Sequence, residues 1–191
     1  MKYLSVVLPV KNEGKRLAIT LSDISSYLKN KEVEHEIITV ISAGGDHSVD
    51  LAKRLTAGLK ELKVIILKED NGKGYAVKRG LKEAKHPWIL IMNSDNSVSI
   101  VEIEKMLPFA EDNNLILGSR KSKEKSSVLN TLLKSLVKQD KHSGFKLLNQ
   151  KLAKKILKES KVNDSSFQSE LIEIAQSAQT KVQEVPITWQ L

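Results

Sequence analysis

Residues 3–10 read Tyr-Leu-Ser-Val-Val-Leu-Pro-Val, a nearly continuous apolar run rich in valine. It lacks the in–out alternation of a half-exposed strand, so it predicts a strand buried on both faces, as in parallel sheets. Moving outward, Leu17, Leu21, Ile24 and Leu28 recur at helical spacing within residues 14–29. Residues 36–41 (EIITVI) predict a second strand, residues 49–59 a second amphipathic helix, and residues 64–67 a third strand. Gly72-Lys73-Gly74 then opens a helix running to about Ala84, and residues 88–92 (WILIM) predict a fourth strand. Four strand–helix units in a row predict an α/β fold, a mostly parallel sheet covered by helices, of the nucleotide-binding kind. A helix near 100–110 and a strand near 115–117 follow. Beyond a polar linker at 121–127, an apolar stripe (Val128, Leu129, Leu132, Leu133, Leu136, Val137) is backed by Lys134 and Lys138. Two more helices, at about 149–159 and 166–178, precede a last strand at 182–189.

The 191 residues fit a single domain. The absence of cysteine excludes a disulfide framework, a thiolate nucleophile and any Cys-ligated metal. His35, His47, His86 and His142 are scattered and form no His-x-x-x-His pair. No apolar run approaches the ~20 residues that span a bilayer, and the N-terminal stretch lacks a signal-peptide pattern. The expectation is a cytoplasmic protein. Its net charge of +8 is concentrated: residues 121–161 hold twelve lysines against Glu124, Asp140 and Glu159, which leaves the remainder near neutrality. Lysine without arginine suits diffuse attraction to an anionic surface better than bidentate reading of phosphates or bases. A solvated helical face is the alternative. With few aromatics to stack on bases and no recognisable reading motif, nucleic acid is not an expected partner.

Ligands of parallel sheets bind beyond the carboxyl ends of the strands. Those ends here are Pro9-Val10-Lys11-Asn12-Glu13, Ser42-Ala43-Gly44-Gly45-Asp46, Asp70-Asn71-Gly72-Lys73-Gly74, Asn93-Ser94-Asp95 and Gly118-Ser119-Arg120. The start of a helix at Gly72-Lys73-Gly74 offers backbone N–H groups and one ammonium to an anion, or is a plain turn. Asp95 at a strand edge suits Mg²⁺ or Mn²⁺ held against a diphosphate, or simply closes an Asx turn.

Taken together and in order, these segments resemble family 2 glycosyltransferases of the GT-A fold, in the branch that glycosylates dolichyl phosphate. Residues 6–13 (VVLPVKNE) resemble its first-strand Pro-x-x-Asn-Glu motif, and residues 71–80 (NGKGYAVKRG) its Gly-Lys-Gly-x-Ala-x-x-x-Gly stretch. Asn93-Ser94-Asp95 stands in the place of Asp-x-Asp, and Gly118-Ser119-Arg120 matches Gly-Ser-Arg. Asp140 to Lys146 resembles Asp-x-x-x-Gly-Phe-Lys; Phe167, Glu170, Leu171 and the run Val185 to Trp189 match the closing motifs. The resemblance implies a nucleotide-sugar-binding half (1–95) and an acceptor-side half (96–191) within one domain. It implies nucleotide-sugar contacts at Pro9, Asn12, Glu13, Asp46, Lys73, Gly74 and Asn93. It further implies a divalent cation (Mg²⁺ or Mn²⁺) on Asp95 and Asn93, catalytic parts for Asp95, Arg120 and Asp140, and an acceptor phosphate on Arg120 and Lys146.

The implied reaction moves a sugar, with inversion, from a UDP- or GDP-sugar to a lipid phosphate such as dolichyl phosphate. Because a phosphate acceptor is already ionised near neutrality, no dedicated general base is required. The basic 121–161 segment then suits a peripheral position on the cytoplasmic face of an anionic membrane, or is an ordinary helix whose apolar stripe packs into the core. Three positions depart from the family pattern: Ser42 and Asn93 stand where aspartates are usual, and Gln168 replaces a carboxylate. The departures at Ser42 and Asn93 favour a rival reading, a non-catalytic GT-A domain that binds a nucleotide or a protein partner.

Overall fold

The computed structural model describes residues 1–44, 47–112, 114–120 and 144–190, with the side chains of Lys15 and Arg120 left out. A seven-stranded sheet runs through the molecule: β1 (Tyr3–Val10), β2 (Glu34–Ile41), β3 (Leu62–Ile66), β4 (Trp88–Ile91), β5 (Leu115–Arg120), β6 (Lys146–Asn149) and β7 (Val182–Ile187), ordered β3-β2-β1-β4-β6-β5-β7. The helices are α1 (Gly14–Asn30), α2 (Ser48–Thr56), α3 (Lys73–Glu83), α4 (Gln150–Glu159) and α5 (Phe167–Ser177).

β1 is buried from Leu4 to Val10 and pairs in parallel with β2 on one side and β4 on the other. Its alternate residues feed two cores. Val6, Leu8 and Val10 face Leu17, Leu21, Ile24 and Leu28 of α1. On the other side Val7 packs with Val77 and Leu81 of α3, in a layer continued by Leu152 and Ile156 of α4 and Phe167 and Leu171 of α5. Proline inside a central strand needs an explanation, since it removes a ladder donor. The β1–β4 register ends at Val7↔Ile91, so Pro9 lies past the last ladder bond on that side. Its carbonyl accepts the Ser94 hydroxyl instead, at 3.2 Å.

One element goes beyond the sequence expectation and one expectation is corrected. β6 lies antiparallel between β4 and β5. Only four residues long and begun by a lysine, it shows no strand periodicity. Residues 100–110 form two 3₁₀ turns, Ile100–Lys105 and Leu107–Phe109, rather than an α-helix. Pro108 has no N–H to give to the carbonyl four residues back, so an α ladder cannot run through it. The stripe at 128–137 lies outside the described residues. In α4 the apolar side (Leu152, Ala153, Ile156) turns inward while Lys151, Lys154 and Lys158 are exposed.

α3 is held at both ends. Near its end, Gly80 lies so close to β1 that a Cβ there would overlap Val7 and sit 3.4 Å from Val40. At its start, Gly74 N–H donates to the Asp164 carbonyl (3.1 Å) and Tyr75 N–H to that of Asn163 (2.8 Å). That connection between α4 and α5 is itself fastened by Glu170, which accepts from Ser160 Oγ (2.5 Å), Lys161 N–H (2.8 Å) and Val162 N–H (3.2 Å). Burial alone would raise the Glu170 pKa, but these three donors, helped by the Lys78 charge, hold it below the usual glutamate value.

Two outcomes follow. Gly80→Ala will destabilise the fold by about 1–3 kcal/mol through overpacking, despite alanine's better helix propensity; an unchanged urea midpoint would refute the close α3–β1 approach. Because Glu170 is depressed in the folded state, its contribution is fully present above the ordinary glutamate pKa and is lost as pH falls through the lower folded value. Stability of the wild type will therefore drop on acidification below the glutamate range more steeply than that of Glu170→Gln, read from thermal melts at a series of pH values.

Candidate active site

The carboxyl ends of β1, β2 and β4 meet the start of α3 around a cavity of about 220 Å³. β1 contributes Pro9 and Val10, followed by Lys11 and Glu13; Ser42 follows β2; Asp70, Lys73 and Ala76 come from the β3–α3 segment; Asn93, Ser94 and Asp95 follow β4. A second cavity of about 470 Å³, lined by residues such as Met1, Leu4, Tyr27 and Leu107, lies at the opposite ends of the strands. It is away from the edge at which α/β sheets bind ligands.

Ser94 is the fastener of this rim. It is buried, its hydroxyl donates to the Pro9 carbonyl, and its own carbonyl accepts the Thr20 hydroxyl of α1 at 3.0 Å. β4, β1 and α1 are thereby joined where the strands end. With Ser94 held inward, its neighbours Asn93 and Asp95 line the cavity. One Asp95 oxygen accepts the Ser97 N–H (3.0 Å), closing the Asx turn expected of such a residue.

Lys73 is brought to the same place by a constrained turn. Gly72 adopts φ +91°, a region that favours glycine, and a Cβ there would lie 2.6 Å from the Asn163 carbonyl oxygen. Immediately after it, the Lys73 ammonium donates to Asn93 Oδ1 at 2.8 Å. Desolvation lowers the Lys73 pKa, and the neighbouring Asp95 charge opposes that shift. On the other side of Asn93, Gly144 approaches so closely that any Cβ there would collide with the Asn93 amide. Asn93 is thus gripped between an ammonium and a glycine backbone.

At the mouth, Lys11 Nζ and Asp70 Oδ2 pair at 2.6 Å, while Asp70 Oδ1 accepts the Gly72 N–H at 3.2 Å. The Lys11 ammonium and the Gly72 N–H hold the Asp70 carboxyl below its usual value. This link from the end of β1 to the turn before α3 was not anticipated, and no sequence motif marks it.

The expected site residues divide as follows. Pro9, Glu13, Lys73, Asn93 and Asp95 are brought together around the cavity. Asn12 has φ +55° and lies against Gly44, outside the lining. Gly74 is buried beneath Phe167 and Asp164, so the expectation that the α3 N-terminus presents free N–H groups to an anion is corrected: its Gly74 and Tyr75 donors are already taken. Lys146 is 2% exposed and its ammonium donates to Gln168 Oε1. It opens β6 opposite Ile91 and Leu117, at the same rim, but its side chain turns into the core. Arg120 ends β5 beside Ile187; of its side chain nothing is described. Asp46 and Asp140 lie outside the described residues.

For a divalent cation, the described residues contain no group of three or more His, Cys, Asp or Glu. The donor set nevertheless fits one coordination mode. Mg²⁺ is often held by one or two carboxylates with the remaining positions filled by substrate phosphates and water. Asp95 supplies one carboxylate at the cavity, whereas the Asn93 oxygen is engaged by Lys73.

The glycosyl transferase family 2 model matches residues 5–169. The dolichyl-phosphate beta-glucosyltransferase of Mus musculus is 28% identical over 98% of this chain and 67% of its own length. The chain spans about two thirds of the length of the curated relatives it matches. Among solved structures, glucosyl-3-phosphoglycerate synthase from Mycobacterium tuberculosis in complex with UDP superposes with a TM-score of 0.75 at 17% identity, covering 100% of this chain and 72% of that one. The Pyrobaculum calidifontis mannosyltransferase in complex with GDP-Man and Mn²⁺ gives 0.70 at 15%, covering 96% and 56%. At such identities these two structures speak for the fold alone, which is GT-A. The motif order, the sheet order and the family match agree, and the chain belongs to glycosyl transferase family 2.

Proposed function

We propose that this chain transfers a sugar from a nucleotide diphosphate sugar to a polyprenyl phosphate of the dolichyl type. The carrying observation is the convergence of Lys73 and Asp95 on one cavity at the carboxyl ends of the strands, in a family 2 chain. The dolichyl-phosphate acceptor and a glucosyl donor are suggested by the name of the mouse relative. The structural neighbours carry UDP or GDP-Man, so either nucleotide is a candidate donor moiety.

In this reading the bond from the anomeric carbon to the diphosphate oxygen breaks as an acceptor phosphate oxygen bonds the same carbon, with inversion. Charge accumulates on the departing nucleoside diphosphate. Asp95, together with the donor phosphates, would hold a Mg²⁺ or Mn²⁺ ion, which would supply Lewis-acid neutralisation of that charge. Lys73 adds a second positive charge from the protein itself. Proton abstraction is not required, because the acceptor phosphate is ionised. Acceptor binding falls to Arg120, whose guanidinium suits phosphate bidentately; with Lys146 turned inward, that residue supports β6 rather than the acceptor. The exposed lysines of α4 (Lys151, Lys154, Lys158) favour an anionic membrane surface, with the cytoplasmic face as the proposed side. Among the described residues no helix is long and apolar enough to cross a membrane.

Assayed with UDP-glucose, GDP-mannose and dolichyl phosphate in the presence of Mn²⁺, the wild type will form a lipid-linked sugar. Asp95→Ala will lower kcat/KM by about 100-fold, the scale of about 3 kcal/mol of lost charge stabilisation. A wild type inactive with every donor, or an unaffected Asp95→Ala, would refute the proposal. In flotation assays, vesicles containing anionic phospholipid will carry the protein at low salt and release it at high salt. Equal recovery with neutral vesicles would exclude the charged-surface reading.

A further inference from the structure

Asn93, which stands where the family resemblance leads one to expect an aspartate, is paired with Lys73. Among the described residues, the one hydrogen-bond partner of the Lys73 ammonium is the neutral Asn93 amide, at 2.8 Å. A lysine ammonium has three donors, so two remain for a ligand in the cavity that Lys73 lines. The geometry is fixed from three directions. α3 is tied by the 163–164 carbonyls, Asn93 is backed by Gly144, and Ser94 clamps the end of β4. An amide at 93 orients the ammonium without cancelling its charge. An aspartate there would form an ion pair with Lys73 and leave the cavity one unit more negative. The other charged lining groups are Lys11, paired with Asp70, and the carboxylates of Glu13 and Asp95.

Resting on the donor-site reading above, we propose that Lys73, oriented by Asn93, is a resident cation for the donor diphosphate, so that the nucleotide binds this site even without a divalent ion. Asn93 is a positioning residue in this arrangement and not a metal ligand. The metal, bound through Asp95, then adds to an affinity that already exists, where a two-aspartate site of the same shape would exclude a diphosphate until the ion had entered.

The test is calorimetric titration of UDP and of GDP into the intact chain, in EDTA and in Mn²⁺, with thermal melts of each ligand-free variant as the folding control. Wild type will bind one of the nucleotides in EDTA, and Mn²⁺ will tighten that binding. Lys73→Gln will weaken metal-free binding about 10- to 100-fold, as expected for a charge-assisted hydrogen bond, while Mn²⁺ still gives its increment. Asn93→Asp will weaken metal-free binding by about tenfold or more and enlarge the Mn²⁺ increment. Lys73→Arg, which keeps the charge, will retain most of the metal-free binding. Nucleotide binding by wild type in Mn²⁺ but not in EDTA would overturn this inference and leave the donor site standing. An Asn93→Asp variant that binds in EDTA as well as wild type would also overturn it. Failure of both nucleotides to bind wild type even with Mn²⁺ would overturn the donor site, and this inference with it.

Discussion

Burial of β1 on both faces is the constraint from which the rest of the molecule follows. A strand with no solvent face must be covered twice, and the two sets of alternating residues select α1 on one side and α3 on the other. Parallel neighbours on both flanks then bring the ends of β1, β2 and β4 to the same rim. Pro9 withholds a ladder donor only on the side where β4 has already stopped, while β1 continues to Val10 against β2. The vacant carbonyl is taken by Ser94, and through that bond the chemistry-bearing pair on either side of Ser94 acquires its position. Core burial and site geometry are therefore one problem here.

The first half of the molecule was legible because its signals are local. β1, α1, β2 and α3 each announce themselves by period or by a glycine turn, and their order suffices to place the strand ends. The rim residues Pro9, Glu13, Lys73, Asn93 and Asp95 could be named for the same reason. What stayed hidden depends on partners distant in the chain. Nothing near Gly74 indicates that residues some ninety positions later cap its helix, so its N–H groups looked available. Lys146 has the residue type of a phosphate ligand, but its four-residue strand is completed only by β4 and β5, and that pairing buries it. Pro108 was visible, and its effect on the ladder argued against an α-helix there more strongly than the apolar spacing argued for one.

The departures from the family's acidic pattern also read differently in three dimensions. Asn93 alone looks like a lost ligand. Beside Lys73 it is a neutral acceptor that leaves a cation available, and Gly144 approaches its amide closely from the other side. Gln168 shows the same tendency, its amide oxygen accepting from the buried Lys146. In both places an amide oxygen accepts from a lysine side chain.

The antiparallel β6 has a consequence for how the chain reaches this state. β4 and β5 do not touch through a ladder of their own; each pairs with β6. During synthesis, which proceeds from the N-terminus, the strands β3-β2-β1-β4 are complete once residue 91 has emerged, yet β4 remains an open edge of Trp88, Ile89, Leu90 and Ile91. Such an edge is a template for pairing with another chain. It closes only when residues 146–149 arrive, after some fifty-five more residues. The seam between β4 and β6 thus joins the parallel N-terminal strands to the rest of the sheet, and the nascent chain is most vulnerable to mispairing while that seam is open.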